Sequence, residues 1–250
     1  MIYRQVQTNL FLLMPNNSGT TFLEQVLNRC ENVAHLPAEG QFIPGFVGPT
    51  PIRDNVVSLW TEKLDLFTDP AHFDWPKTKR AWQERLRTNN TDPRVFVEKS
   101  PPNLLRANML IENFPRVKFL VMVRNPYAVA EGICRQNPQA DLTRAATHLM
   151  TCFKWQDMNL KRYADRSLFF TYERMCAQPN AVAKQISNLI PDLHDVNFQQ
   201  KIKIKGRYHE QIRNMNAQQI ERLSPEDIQT LNRVFHSHEV LLRRFGYSIL

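Results

Sequence analysis

The chain has 250 residues, 42% of them hydrophobic and 22% charged, with a formal net charge of +8. That balance excludes a disordered or low-complexity chain and is enough for one large domain with its own core. No run approaches the roughly 18 to 20 unbroken apolar residues of a membrane-spanning helix. The basic surplus favours an anionic ligand, but Lys and Arg are dispersed rather than striped, so no nucleic-acid partner is expected.

The N-terminal apolar run is too short for a secretory leader and leads into a turn, so a cytoplasmic protein is expected. LFLLM (10 to 14) is continuously apolar, the pattern of a strand buried on both faces. It ends in Pro15-Asn16-Asn17-Ser18-Gly19-Thr20-Thr21 and passes into the helical pattern TTFLEQVLNRC. A turn so placed aims the backbone N–H groups of Ser18, Gly19, Thr20 and Thr21 at one point near the positive end of a helix dipole, and the hydroxyls add donors. It reads as an anion site without the lysine such loops usually carry. Neither G-x-x-x-x-G-K-[ST] nor a strand ending in a magnesium-holding aspartate is present, which argues against an ATPase or GTPase. Asn16 and Asn89 match the glycosylation sequon, but the first lies inside the proposed ligand loop, and both are discounted.

Residues from about 40 to 93 are rich in Pro, Asp and aromatics and read as an insertion covering the substrate. Trp60, Phe67, Phe73, Trp75 and Trp82 within it require something to pack on. Beyond it, VFVE (95 to 98), KFLVMVR (118 to 124) and SLFFTY (167 to 172) repeat the buried-strand pattern. They are separated by the helical stretches PNLLRANMLIENF, PYAVAEGICRQ and LTRAATHLMTCFKWQDMNLKRYA. A last amphipathic helix opens with Ser224 as N-cap and Pro225 at the first helical position. Alternating strands and helices predict a single α/β domain over residues 1–250, with a P-loop-like parallel β-sheet flanked by helices on both faces. Four cysteines lie far apart, with no Cys-x-x-Cys pair, so no zinc or redox site is suggested.

Several of these segments together resemble the sulfotransferases. PNNSGTTFLEQVL is similar to their 5′-phosphosulfate loop, whose common form is Pro-Lys/Arg-Ser-Gly-Thr-Thr. VKFLVMVRNPYAVAEGICR is similar to their 3′-phosphate segment. EKSPPNLLRANML resembles the Glu-Lys-Ser/Thr-Pro stretch of the bacterial, glycan and tyrosylprotein branches, to which the chain looks closer than to the cytosolic branch. LFFTYERMCAQP resembles the element that follows, and LLRRFGY is also typical. The resemblance runs in order over roughly residues 9 to 247.

It implies metal-free transfer of a sulfuryl group from 3′-phosphoadenosine 5′-phosphosulfate (PAPS) to a hydroxyl or amine acceptor of unknown class. By match, Asn17, Ser18, Gly19, Thr20 and Thr21 cradle the 5′-phosphosulfate, and Arg124, at a strand end, pairs with the 3′-phosphate. The serine that usually stands eight residues later is replaced by Gly132, so another donor is needed: Arg135, or the basic stretch with Lys205, Gly206 and Arg207. Glu39, 22 residues beyond Asn17, matches the catalytic base, with His35 as the alternative. Lys99 would carry the charge missing at Asn17, whose amide is a neutral and weaker donor. Glu98 would orient Lys99 or a backbone group, and Tyr172 would touch the adenine or a phosphate. The rival readings are a P-loop small-molecule kinase and a catalytically impaired nucleotide-binding relative.

Overall fold

A computed structural model describes residues 5–204 and 208–250. The first apolar run forms β1 (Thr8–Leu13). Its side chains alternate between two cores. Leu10 and Leu12 pack with Phe22 and Leu23 of α1 (Thr20–Leu27), whereas Phe11 and Leu13 pack with Trp60, Trp82 and Leu104 on the opposite face. A strand buried on both sides must be apolar at every position, which is why LFLLM does not alternate.

After β1 and α1 come β2 (Val33–His35), α2 (Leu64–Thr68), α3 (Trp75–Gln83), β3 (Arg87–Thr88), β4 (Val95–Glu98), α4 (Ala107–Asn113), β5 (Val117–Val123), α5 (Pro126–Gln136), α6 (Leu142–Arg162) and β6 (Ser167–Thr171). The six strands order β3-β2-β4-β1-β5-β6, all parallel except β3, which runs antiparallel to β2. The four strands expected from the sequence are present. The two additions, three and two residues long, are too short to carry a periodic signal. The sheet is therefore mixed at one edge rather than wholly parallel.

The C-terminal part comprises α7 (Tyr172–Ala177), α8 (Pro179–Leu189), a hairpin of β7 (Ile202–Ile204) and β8 (Tyr208–Glu210), α9 (Asn216–Ile220), α10 (Pro225–Phe235) and α11 (Glu239–Arg244). Helix α8 covers one sheet face through Val182 and Ile186. On the other side α5, α6 and α10 form a third apolar cluster around Tyr127, Phe153 and Phe235. Ser224 caps α10 in a reciprocal capping box with Asp227. The final helical pattern is interrupted by a 3-10 turn at His236–His238. PNLLRANMLIENF, read as one helix, divides into a 3-10 turn (Pro101–Leu105) and α4, with buried Arg106 between them.

Four of the insertion aromatics are core residues, while Phe73 is partly buried against them. Trp60, Phe67, Trp75 and Trp82 are each at most 5% exposed and share a cluster with Phe11, Phe96 and Phe114. Full burial of such side chains contributes about 1.5 to 3 kcal/mol each, enough to hold a segment with little regular structure against the sheet.

Sheet order decides what meets at the ligand edge. Strand β1 lies between β4 and β5, with Phe11 opposite Glu98 and Leu13 opposite Val121. The loop after β1, Glu98-Lys99 after β4 and Arg124 after β5 therefore emerge side by side at the C-terminal ends of parallel strands, where open α/β sheets bind ligands.

Candidate functional site

The loop after β1 bends through two left-handed residues, Asn17 at φ 57° and Gly19 at φ 86°. Gly19 meets a second constraint, because a Cβ there would stand 2.8 Å from the Tyr172 ring. Asn16 ties the loop to the insertion, its amide donating to the Ser58 carbonyl at 2.9 Å and its Oδ1 accepting from Trp60 Nε1 at 2.8 Å. Ser18 is fully buried and its hydroxyl donates to the Asn16 carbonyl at 3.4 Å, within the loop itself. Thr20 and Thr21, at the start of α1, line an open cleft of about 520 Å³, together with Asn17, Gly19 and Arg124.

Arg124 is 6% exposed. Its Nε donates to Asn216 Oδ1 at 2.7 Å, one terminal nitrogen to the Asn17 carbonyl at 2.8 Å, and the other to Gln219 Oε1. Its guanidinium stacks over Tyr172, 4.2 Å from the ring centroid. Burial lowers its pKa from the ordinary arginine value, while Tyr172 and Glu173 work in the opposite direction. All three hydrogen-bond acceptors are neutral, so the cation is held without being neutralised. Glu173 stands behind, accepting from Asn216 Nδ2 at 2.6 Å and from Tyr247 at 2.8 Å. The Tyr172 hydroxyl is already used: it donates to the Arg213 carbonyl at 2.7 Å and accepts from Met215 N at 3.3 Å. The Tyr172 ring supports Arg124 and, with it, lines the cleft.

Gly132 does not face an open gap. A Cβ there would lie 3.1 Å from Gln219 Nε2 and 3.5 Å from the Asn17 side chain. The same Nε2 donates to the Ala128 carbonyl at 3.1 Å and to Glu131 at 2.9 Å. The volume freed by the missing serine side chain is thus closed by the carboxamide that also braces Arg124. Glu131 in turn holds Arg135 at 2.7 Å and Arg222 at 3.3 Å. Burial pushes its carboxyl upward, but hydrogen bonds from Gln219, Arg135 and Arg222 hold it below the usual range. Two half-exposed arginines on one carboxylate leave a net positive charge on the cleft wall, which both of them line. Lys205, Gly206 and Arg207 lie outside the described residues.

The second cluster follows β4. Lys99, 6% exposed, lies 2.7 Å from Glu39 and 3.7 Å from Glu24. Burial works to lower its pKa, but the two carboxylates outweigh burial and the ammonium is raised above the ordinary lysine value. Glu39 also accepts from Gln41 Nε2 at 2.6 Å. Glu98 orients a backbone group, accepting from Gly40 N at 2.8 Å as well as from Ser100 Oγ at 2.6 Å and from Asn103. Gly40 admits no side chain, since a Cβ would stand 2.4 Å from Trp82 and 2.7 Å from Glu98. These contacts fix the backbone immediately after Glu39. His35, the alternative base, sits on β2 with Nδ1 2.9 Å from the Leu36 carbonyl and takes no part in the cluster.

Lys99 thus meets Glu39 and reaches the helix that begins at the anion loop, but through Glu24 rather than through Asn17. Glu24, Asn216, Gln219 and Arg222 were not singled out in the sequence. Only Glu24 had a signal, as the one charged residue in the otherwise uncharged helix TTFLEQVL. The Lys99 cluster does not line the cleft beside Arg124, but both touch α1, the cleft through Thr20 and Thr21 and Lys99 through Glu24.

Comparison with known proteins gives a consistent result. A family described as "Sulfotransferase family" matches residues 10–190. No curated protein matches the chain significantly. Among solved structures, the sulfotransferase domain of the Synechococcus PCC 7002 olefin synthase superposes with a TM-score of 0.58 at 18% identity, covering 91% of this chain and 94% of that one. The sulfotransferase domain of the curacin biosynthetic pathway gives 0.55 at 18% identity, covering 92% and 96%. A sulfotransferase from Alicyclobacillus acidocaldarius gives 0.54 at 15% identity, covering 98% of both chains. At these identities the likeness is one of fold.

Proposed function

Because the chain belongs to the sulfotransferase family, we propose that it transfers the sulfuryl group of PAPS to a hydroxyl or amine acceptor, with Glu39 as base and Lys99 as the charge that stabilises the transferring group. The observation that carries this reading is the ion pair of buried Lys99 with half-buried Glu39 at 2.7 Å, tethered to the helix that starts at the anion loop. A base must reach the acceptor proton, and a fixed cation must stand where negative charge develops on the sulfuryl oxygens. The backbone N–H groups of residues 18–21 would hold the 5′ side of the donor. Arg124 would hold the 3′-phosphate, since its charge is braced by neutral groups and remains available to an anion.

Arg135 and Arg222 would supply what a hydroxyl at position 132 does not, because both line the cleft and share one carboxylate. Lys205, Gly206 and Arg207 are further candidates for the same phosphate. The insertion after β2 would cover the acceptor, its aromatics supporting the fold and its loop segments meeting the substrate. The protein would act in the cytoplasm without a metal.

Calorimetric titration with 3′,5′-adenosine bisphosphate, beside ADP and Mg-ATP, tests the donor site. Micromolar binding of the bisphosphate with much weaker ADP is expected, followed by label transfer from PAPS in an acceptor screen. Preferential binding of Mg-ATP would point to phosphoryl transfer instead. Tight bisphosphate binding with no transfer to any acceptor class would favour a nucleotide-binding relative without catalysis, a reading to which Asn17 and Gly132 lend support.

A further inference from the structure

Glu24 has no role assigned to it from the sequence, yet its carboxylate lies 3.7 Å from Lys99, while Glu39 holds the same ammonium at 2.7 Å. The side chains are 15%, 6% and 22% exposed for Glu24, Lys99 and Glu39. Two carboxylates therefore share one buried cation, and ionising both leaves a surplus negative charge. Lys99, Glu39 and Glu98 are the charged groups that act on Glu24. Glu98 does not relieve the surplus, since its own oxygens are taken by Gly40 N, Ser100 and Asn103. Such a cluster is more stable with one proton on the carboxylate pair. Burial foremost, opposed by Lys99 and reinforced by Glu39 and Glu98, pushes Glu24 up to about 7.

We propose that Glu24 is a positioning residue for the transfer, holding Lys99 jointly with Glu39 and becoming its counter-ion when Glu39 takes the acceptor's proton. The proposal rests on the sulfuryl-transfer reading above. In that step a bond forms between the acceptor oxygen or nitrogen and sulfur, while the bond from sulfur to the 5′-phosphate oxygen breaks. The bonding pair leaves with adenosine bisphosphate, and the acceptor's proton passes to Glu39. Glu39 is then neutral, and Lys99 loses its nearest anion as its charge is needed at the sulfuryl oxygens. Glu24, already within ion-pair distance, releases its proton to water and keeps the ammonium charged and in place. The carboxylate pair carries one proton before and after the step, first on Glu24 and then on Glu39.

Two measurements on the full chain test this. The first needs no donor: the Lys99 side-chain resonances are titrated by NMR between pH 7 and 11 in the native protein, Glu24→Gln and Glu24→Asp. Losing a shared carboxylate should lower the Lys99 midpoint by about half a pH unit or more in Glu24→Gln and less in Glu24→Asp. An unchanged midpoint in a folded Glu24→Gln variant would overturn the shared cradle. The second is labelled transfer from PAPS as a function of pH. Glu24→Gln should lower kcat by about tenfold at an unchanged donor KM and flatten the limb near neutral pH, with partial rescue by Glu24→Asp. A native pH profile and rate in Glu24→Gln would reject the positioning role. If the native protein neither binds the bisphosphate nor transfers label, the sulfuryl-transfer reading falls and the positioning role falls with it. The lysine titration would still decide whether Glu24 holds Lys99.

Discussion

Around Arg124 a buried cation is surrounded by neutral acceptors, the Asn17 carbonyl and the amides of Asn216 and Gln219, whereas around Lys99 the buried cation is surrounded by Glu39 and Glu24. Both side chains follow strands of one sheet and both are 6% exposed. Neutral braces fix a guanidinium without cancelling its charge, which suits a site that must attract a phosphate. Two carboxylates on one ammonium leave a surplus negative charge that a single proton relieves, which suits a site where a proton moves. Under the proposed sulfuryl transfer the first cluster would serve binding and the second chemistry, and the difference lies in the partners rather than in the cations.

Glu39→Gln is expected to have the largest effect. Single-turnover transfer is expected to fall by about 10³-fold, with adenosine bisphosphate affinity nearly unchanged. Native turnover in that variant would place the base elsewhere. The next effect is on stability. Glu24 has its folded-state value raised from 4.5 to about 7, so it binds its proton more tightly folded than unfolded. Its contribution is full below about pH 4.5 and is lost as pH rises through about 7, by about 3 kcal/mol at roughly 1.4 kcal/mol per pH unit. Urea unfolding at pH 5, 6, 7 and 8 should therefore show the native protein losing stability relative to Glu24→Gln as pH rises.

At the binding end, Arg124→Ala should weaken adenosine bisphosphate by about 2 kcal/mol, a factor of roughly 30, and leave ADP little changed. Calorimetry that found both nucleotides weakened equally would mean that Arg124 acts through the loop instead. The smallest effect is expected for Gly132→Ser. Its Cβ would press on Gln219 Nε2 at 3.1 Å, so bisphosphate affinity should change by only about two- to fivefold. A double-mutant cycle with Gln219→Ala should show strong coupling between the two positions.

Much of the candidate site was legible, but not the direction in which each side chain points. Asn17, Gly19, Thr20, Thr21, Arg124 and Lys99 lie at or just beyond strand ends because each follows a strand whose apolar run is visible in the sequence, whereas Glu39 follows β2, which is too short to show one. The hydroxyls of Ser18 and Tyr172, both legible as donors, are directed at the Asn16 and Arg213 carbonyls, while the Tyr172 ring lines the cleft. Local chemistry shows that a hydroxyl is present, whereas the direction in which it points depends on neighbours distant in sequence. Gly132 was read as a deficit, and the side chain that fills its space, Gln219, lies 87 positions away in a stretch without any pattern.

The amino-acid sequence by itself determined the buried strands, the turn after the first of them and the residues placed at strand ends. Those features depend on periodicity and backbone chemistry, which act over a few residues. Only the tertiary structure decided that β1 lies between β4 and β5, that Lys99 is shared by two carboxylates, and that Arg124 is braced by neutral groups. Those outcomes depend on which side chains burial forces together, and the energy of a buried charge is set by its partners rather than by its place in the chain.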